Sequence, residues 1–385
     1  MMYKIQKLNK IAEVGLKKFG SNYEISDNIE NPDGIILRSY NMHEMEIPSS
    51  VLGIARAGAG VNNIPVDECA SKGIVVFNTP GANANAVKEL TICSLLLASR
   101  KITEGIEWAK TLTGDDVDKQ VEKGKSQFVG PEIAGKTLGV IGLGAIGVLV
   151  ANAAEKLDME VIGYDPYLSI DAAWGLSSTV KKAENLEDIY ANCDYITMHL
   201  PLTPDTKDMI NAESISLMKD GVRIINLARG GLVNNADIIA GVESGKVGAY
   251  VADFINGDLV GKKNIIAIPH LGASTPESED NCAVMAAREL REYLEKGNII
   301  NSVNFPRCEA ELTNDKRICI IHHNKPNMIS QFSSIMASEG INIEHFLNKS
   351  KGDNAYTMMD LDTVTDSIIE KLKSVEGVIR LRVIG

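Results

Sequence analysis

A short apolar run over residues 138–141 passes without a break into Gly142-Leu143-Gly144-Ala145-Ile146-Gly147, and then into a helical pattern over residues 145–157. Few local patterns constrain a fold as tightly. A G-x-G-x-x-G between a buried strand and a helix implies a strand-turn-helix unit of a parallel sheet, with the next strand returning beside the first. Residues 159–164 supply that strand. It ends in Asp165, about 20 residues past the glycines, where a dinucleotide-binding unit carries an acid. In this reading Gly142 permits the tight turn, Gly144 lets a pyrophosphate approach the backbone, and Gly147 lets the helix lie close to the sheet. Ala145 and Ile146 open the helix whose free N–H groups face the phosphates. Asp165 accepts hydrogen bonds from both ribose hydroxyls and repels a 2′-phosphate. No Arg or Lys follows in Pro166-Tyr167-Leu168, so NAD is the expected cofactor rather than NADP.

The same alternation of short buried strands and helical stretches extends in both directions. Strands are expected over 34–37, 51–55 and 74–77 before the glycine turn, and over 195–198, 223–227, 249–254 and 265–268 after it. Polar residues recur where these strands end, which is where ligands meet a doubly wound sheet. Residues 83–110 read as one long helix, apolar on most faces, that must be covered by another domain or a second subunit. Residues 111–130 read as a surface excursion, and residues 276–296 as a helix crossing back to the first domain. The expected division is therefore discontinuous: residues 1–84 and 271–301 form one lobe, with 85–270 the dinucleotide-binding lobe. Residues 302–315 read as a linker, and 316–385 as an independent βαββαβ unit of ferredoxin-like type. The fold class is α/β, two doubly wound Rossmann-like domains plus that small unit.

Composition narrows the function. A chain of 385 residues with 44% hydrophobic content has ample core for such domains. A net charge of −12 argues against a nucleic-acid or anionic-membrane surface, so an anionic substrate must be drawn in by local Arg and Lys. Six scattered cysteines form no C-x-x-C and no metal-like cluster, which suits a reducing compartment. The N-terminus lacks the apolar stretch of a signal peptide, and residues 90–98 are too short to cross a bilayer. The expectation is a soluble cytoplasmic protein with no metal.

Four segments in order, Gly142-Leu143-Gly144-Ala145-Ile146-Gly147, His199-Leu200-Pro201, Asn226-Leu227-Ala228-Arg229-Gly230-Gly231 and Pro269-His270-Leu271-Gly272-Ala273-Ser274-Thr275, resemble the D-isomer-specific 2-hydroxyacid dehydrogenases. The C-terminal unit resembles an ACT domain. The resemblance covers nearly the whole chain. It implies an NAD-dependent oxidation of D-3-phosphoglycerate to 3-phosphohydroxypyruvate, the first step of L-serine biosynthesis, in a homodimer or homotetramer. Two alternatives remain open: another D-2-hydroxyacid dehydrogenase, acting on 2-hydroxyglutarate or glycerate, and a non-catalytic NAD-sensing protein.

The resemblance also assigns roles. His270 is the expected general acid/base, as befits an imidazole. Arg229 is expected to grip the substrate carboxylate with its planar fork. His199, Pro201, Ala228 and Gly272 are expected to line the cofactor. The family places a glutamate beside the histidine, in the pattern Asp-Val-Phe-x-x-Glu-Pro. This chain reads Asp253-Phe254-Ile255-Asn256-Gly257-Asp258-Leu259, so Asp258 is expected in that role and Asp253 near the nicotinamide carboxamide. Arg38, Ser39, Ala59, Gly60 and Asn62 match the family's substrate segments, with Arg38 the first choice for the phosphate and Arg56 a weaker one. In the last unit His322, Asn324 and Asn342 match residues that bind the effector L-serine between two such domains. The usual glycine after Pro326 is Asn327 here, a departure in that loop.

Overall fold

The computed structural model describes residues 2–312 and 316–385. The chain packs as two compact units, Met1–Ala82 with Pro276–Gly385, and Asn83–Thr275. In the first, β1 (Tyr3–Leu8), β2 (Tyr23–Ser26), β3 (Gly34–Leu37), β4 (Gly53–Arg56) and β5 (Val75–Phe77) form a parallel sheet in the order β2-β1-β3-β4-β5. Every residue of β3 and β5 is buried, as expected of strands covered on both faces, and that makes them continuous apolar runs. β1 mixes polar and apolar residues and buries only Ile5 and Leu8, so its sequence is a weaker signal.

The second unit carries β6 (Thr137–Ile141), β7 (Glu160–Tyr164), β8 (Lys181–Lys182), β9 (Tyr195–Met198), β10 (Val222–Asn226), β11 (Val247–Ala252) and β12 (Ile265–Ala267), in the order β12-β11-β10-β9-β6-β7-β8. After β6 the chain moves one way to β7, and later resumes on the other side at β9. The crevice at that reversal is where a doubly wound sheet takes its ligand. The long helix expected over 83–110 is two helices, Ala84–Arg100 and Ile102–Ala109, because Lys101 adopts the left-handed conformation with φ 45. One face of the first is covered within its own unit, while Leu96 stays 40% exposed. Val87, Leu95 and Ala98 share a core with Val148 and Ala151 of the helix Ala145–Glu155. The expected excursion over 111–130 contains a helix, Val117–Gly124, and a 3-10 turn, Lys125–Phe128.

The C-terminal strands β13 (Lys316–His323), β14 (Ile343–Lys351), β15 (Asn354–Leu361) and β16 (Val378–Ile384) form an antiparallel sheet in the order β14-β15-β13-β16, with helices Met328–Ser338 and Asp366–Lys373. This is the ferredoxin-like βαββαβ arrangement. It does not stand apart as an independent unit. Cys319, Ile321, Tyr356, Met358 and Ile384 pack into one core with Leu290, Tyr293 and Leu294 of the helix Pro276–Lys296. The Tyr356 hydroxyl donates to the Gly297 carbonyl at 2.7 Å, and Arg382 to those of Tyr293 and Leu294 at 3.2 and 2.9 Å. Arg317, fully buried and paired with buried Asp360, donates to the carbonyls of Lys296, Ala310 and Glu311.

The linker expected over 302–315 is likewise not a free connection in its first half. Ser302 bridges Phe77, Val303 N–H donates to the Val76 carbonyl at 3.0 Å, and buried Asn304 bonds both Val76 N–H and the Ile74 carbonyl. The segment extends the edge of the first sheet because its polar side chains complete the open ladder of β5. Residues 313–315 of that expectation lie outside the described residues. Among the described residues no helix is long and apolar enough to cross a membrane.

Candidate active site

In the second unit the turn after β6 is shaped by what surrounds its glycines. Gly142 has φ +90, and a Cβ there would stand 2.7 Å from the His199 carbonyl oxygen. At Gly147 a Cβ would stand 1.9 Å from the Gly142 carbonyl oxygen, so any side chain would push the helix off the turn. Gly144 is different: a Cβ would meet nothing within 4 Å, so open space lies over the backbone. The helix that begins at Ala145 has no side-chain cap at its start, which leaves the first N–H groups, Ala145 and Ile146 among them, for an anion. Asp165, at the end of β7, accepts Leu143 N–H at 2.9 Å and Tyr167 N–H at 2.8 Å. It therefore braces the glycine turn, and each carboxylate oxygen keeps a lone pair for a further donor.

Opposite the turn, at the end of β9, His199 contacts the Thr197 hydroxyl through Nε2 at 3.2 Å, and its buried Nδ1 has no partner. Burial pushes this imidazole down to about 4, so it is neutral near pH 7. Pro201 follows, exposed, its carbonyl accepting the Thr206 hydroxyl at 2.7 Å.

The ends of β10, β11 and β12 bring a second group together. Asn226, fully buried, accepts Ala228 N–H at 3.1 Å and donates to the Arg229 carbonyl at 2.8 Å. It ties the Ala228-Arg229 loop into a fixed shape. Arg229 is exposed, with Nη1 donating to the Ala228 carbonyl at 2.6 Å and the guanidinium 5.8 Å from the Phe254 ring centre. Phe254 also packs against the His270 ring, tilted at 45° with centroids 4.5 Å apart. His270 is exposed and holds φ 47, a left-handed conformation uncommon for a side chain of its size. Its N–H donates to the carbonyls of Asp253 and Ile268 at 3.0 and 2.9 Å, and that pair of bonds maintains the conformation.

Asp253 is 2% exposed. One carboxylate oxygen accepts Gly272 N–H at 3.2 Å, and the other is buried without a partner. Burial pushes this carboxyl up, while the Gly272 bond and the charges of His270 and Arg229 pull it down. Asp258, the expected substitute for the family's glutamate, stands elsewhere. It is exposed and accepts from the Asn256 amide at 3.3 Å; no hydrogen bond or ion pair joins it to His270 among the described residues. Of the two, it is the buried Asp253 carboxyl that feels the His270 charge, and the Asp253 backbone carbonyl accepts the His270 N–H; its carboxylate oxygens make no hydrogen bond to the His270 ring.

The first unit holds the other candidates on the ends of β3 and β4. Arg38 pairs through Nη1 with Glu279 at 2.6 Å, and its N–H donates to the Asn9 side chain at 3.2 Å. Ser39 accepts from the Asn9 amide at 2.8 Å. Arg56 clamps the loops, donating to the carbonyls of Arg38 and Gly60 at 3.0 and 2.5 Å. The Ala59 carbonyl accepts the Asn78 amide at 2.6 Å, and the Asn62 carbonyl contacts His43 Nε2 at 2.9 Å.

The three effector candidates do not meet within one chain. His322 is 2% exposed, with Nδ1 on the His323 carbonyl and Nε2 on the side chains of Asn348 and Thr357 at 3.2 and 3.0 Å. Asn324 donates to the Gly352 carbonyl at 3.1 Å. Asn342 is exposed and lies beyond the far end of the helix Met328–Ser338, away from the other two. Asn327 holds φ 71, so it adopts the left-handed conformation a glycine would otherwise take, and the departure leaves the turn intact.

Sequence reasoning passed over Asn226 and Asn78, which hold loops by their side chains rather than facing a ligand. Asn226 is the last residue of β10 and Asn78 immediately follows β5, and an Asn where a buried strand ends is a turn signal.

Residues 92–272 match the model of the D-isomer specific 2-hydroxyacid dehydrogenase NAD binding domain. A D-3-phosphoglycerate dehydrogenase of Synechocystis sp. is 35% identical over 311 residues, 78% of this chain and 53% of its own. The chain thus spans about half the length of that relative. D-3-phosphoglycerate dehydrogenase 1 of Saccharomyces cerevisiae is 30% identical over 353 residues, 84% of this chain and 72% of its own. Among solved structures, the NAD-bound 3-phosphoglycerate dehydrogenase of Entamoeba histolytica aligns with TM-score 0.59 and 27% identity, covering 79% of this chain and 99% of its own. With the glycine turn, the Arg229 loop and the His270 loop all at strand ends of one parallel sheet, this chain belongs to the D-isomer specific 2-hydroxyacid dehydrogenases.

Proposed function

We propose that this chain oxidises D-3-phosphoglycerate to 3-phosphohydroxypyruvate, with NAD as the hydride acceptor. The observation that carries the reading is the group at the ends of β10, β11 and β12. His270 stands in a left-handed conformation on the Asp253 carbonyl, and Arg229 shares the Phe254 ring with it. Such a strained residue persists only where its surroundings hold it, and it is a mark of functional loops. NAD suits the residues present. The backbone at Gly144 is open, the helix start at Ala145 is uncapped, Asp165 has spare acceptor capacity, and the unpartnered oxygen of Asp253 is an acceptor for a carboxamide N–H.

Bound NAD would supply the acceptor for the hydride that leaves C2 of the acid. The chain's own residues do the rest. His270 accepts the proton of the 2-hydroxyl as that bond's electrons form the carbonyl, and it returns the proton in the reverse direction. Asp253, behind it, favours the imidazolium that results. Arg229 holds the substrate carboxylate in a forked pair and draws charge from the forming carbonyl. Neutral His199 closes the cofactor side without adding a charge. Arg38, with the Ala59-Gly60 loop, is the receptor for the phosphate. L-Serine is the proposed effector, bound by His322 and Asn324 of one copy and Asn342 of another in a homodimer or homotetramer. The proposed compartment is the cytoplasm.

The test is the appearance of NADH absorbance when NAD and D-3-phosphoglycerate are added, repeated with L-serine. A chain that binds NAD and forms no NADH with any D-2-hydroxy acid would refute the enzyme reading in favour of an NAD-sensing protein. One observation favours a second substrate. Arg38 is already paired with Glu279, so an unphosphorylated acid such as glycerate or 2-hydroxyglutarate would not have to displace that carboxylate. If removing the phosphate leaves kcat/KM unchanged, the second reading replaces the first.

A further inference from the structure

Glu289 lies within the helix Pro276–Lys296, is 3% exposed, and has no part in the chemistry above. A buried carboxyl group is costly, and a leucine of similar volume would fill the space at less cost. One oxygen accepts the Asn301 side-chain amide at 2.5 Å, and the other is buried without a partner. Asn301 in turn receives Asn78 N–H on its own carbonyl at 3.3 Å. The Asn78 side chain then donates to the Ala59 carbonyl at 2.6 Å, while Thr79 N–H donates to the Gly58 carbonyl at 3.1 Å. Three hydrogen bonds therefore lead from the interior of the helix to the loop after β4.

The end of that path matters because a peptide unit is planar. Fixing the direction of the Ala59 carbonyl fixes the Gly60 N–H, which points the opposite way. The next unit is held in the same manner, since Arg56 binds the Gly60 carbonyl at 2.5 Å and so orients the Val61 N–H. Two backbone donors with fixed directions at a strand end are what an anionic substrate needs.

We propose that Glu289 is a positioning residue for the substrate loop, acting through Asn301 and Asn78 to set the direction in which the Gly60 N–H meets the acid. The inference rests on the functional reading above, which makes the 57–62 loop part of the substrate site. Burial pushes the Glu289 carboxyl up to about 8, with the Asn301 amide pulling the other way, so at neutral pH the helix interior holds an uncharged acid whose acceptor oxygen faces Asn301.

Steady-state kinetics on the full chain tests this with three variants. Glu289→Leu removes the acceptor and keeps the packing; KM for D-3-phosphoglycerate is expected to rise on the order of tenfold while KM for NAD stays unchanged. Glu289→Gln keeps an acceptor for Asn301 and is expected to restore the wild-type KM. Arg38→Ala raises the same KM by removing the anion's partner. A purely structural Glu289 would change thermal stability in both variants without separating the two KM values. If wild type turns over and Arg38→Ala raises the substrate KM, but Glu289→Leu leaves it alone, the inference falls and the functional reading stands. If wild type makes no NADH, or Arg38→Ala has no effect on KM, the reading itself fails and takes the inference with it.

Discussion

Asp253 and Asp258 are separated by a few residues and by a large difference in surroundings. Asp253 is buried with one oxygen unpartnered, whereas Asp258 is exposed and bonded to Asn256. A carboxylate supports a general base only if it feels the developing imidazolium, and that requires a low-dielectric position near the ring. Asp253→Asn is accordingly expected to lower kcat by about 10²-fold, and Asp258→Asn to leave it within about twofold. The reverse ranking in a kcat comparison would return the role to Asp258. Glu279 supplies a second residue-scale prediction. Its pair with Arg38 is more than a third exposed on both sides, so it is worth little, yet a phosphate bound at the proposed Arg38 receptor would have to displace it. Glu279→Gln should lower KM for D-3-phosphoglycerate by about two- to fivefold and leave KM for unphosphorylated acids unchanged. Which of the two aspartates is buried was not legible from the chain. A motif alignment places Asp258 on the missing glutamate, but the left-handed turn at His270 that brings it to Asp253 is a tertiary product.

At the scale of elements, parallel strands were legible because burial on both faces leaves unbroken apolar runs, and β9 carries the expected boundaries. The break at Lys101 was not, since Arg100-Lys101-Ile102 contains neither Gly nor Pro and the left-handed conformation there has no local signature. The glycine turn was legible in the residues that must be absent. Gly147→Ala places a methyl 1.9 Å from the Gly142 carbonyl oxygen, so the helix must move off the turn. NAD affinity measured by calorimetry should fall by at least about tenfold, and wild-type affinity in a folded variant would contradict the packing argument. The small C-terminal unit was readable as βαββαβ, but its attachment to the helix Pro276–Lys296 was not, because Arg317 reads in sequence as one more surface charge. It is fully buried against Asp360. Removing Arg317 takes from the buried Asp360 carboxylate the guanidinium that pairs with it through two bonds. Arg317→Met alone should therefore cost roughly 3–5 kcal/mol in denaturant unfolding, and pairing it with Asp360→Leu should recover most of that loss. A double variant as unstable as the single one would show that the carbonyls held by Arg317, rather than its charge, carry the energy.

Across the whole molecule, two buried groups with large shifts bear on how stability follows pH, and they act from opposite sides. Glu289 is raised from 4.5 to about 8. Between those values the native chain keeps a proton that the unfolded chain has released, so stability falls as pH rises through that window. His199 is lowered from 6.5 to about 4, so as pH falls between those values the unfolded chain takes up a proton the native one refuses, and stability falls again. In mildly acidic solution the two slopes oppose one another, and buried Asp253 (raised) and His322 (lowered) act in the same two senses. A formal charge of −12 adds general repulsion at higher pH, but that term is shared by any single-site variant and cancels in a comparison. Glu289→Gln removes only the first slope. Its thermal midpoint should match wild type near pH 4 and exceed it increasingly up to pH 8, with a gain of roughly 3 kcal/mol at pH 7. Above pH 8 the difference should level off, since both native and unfolded wild type are then ionised at that position. Parallel curves for the two proteins across the whole range would mean that water reaches Glu289, and that its carboxylate is solvated in the native state.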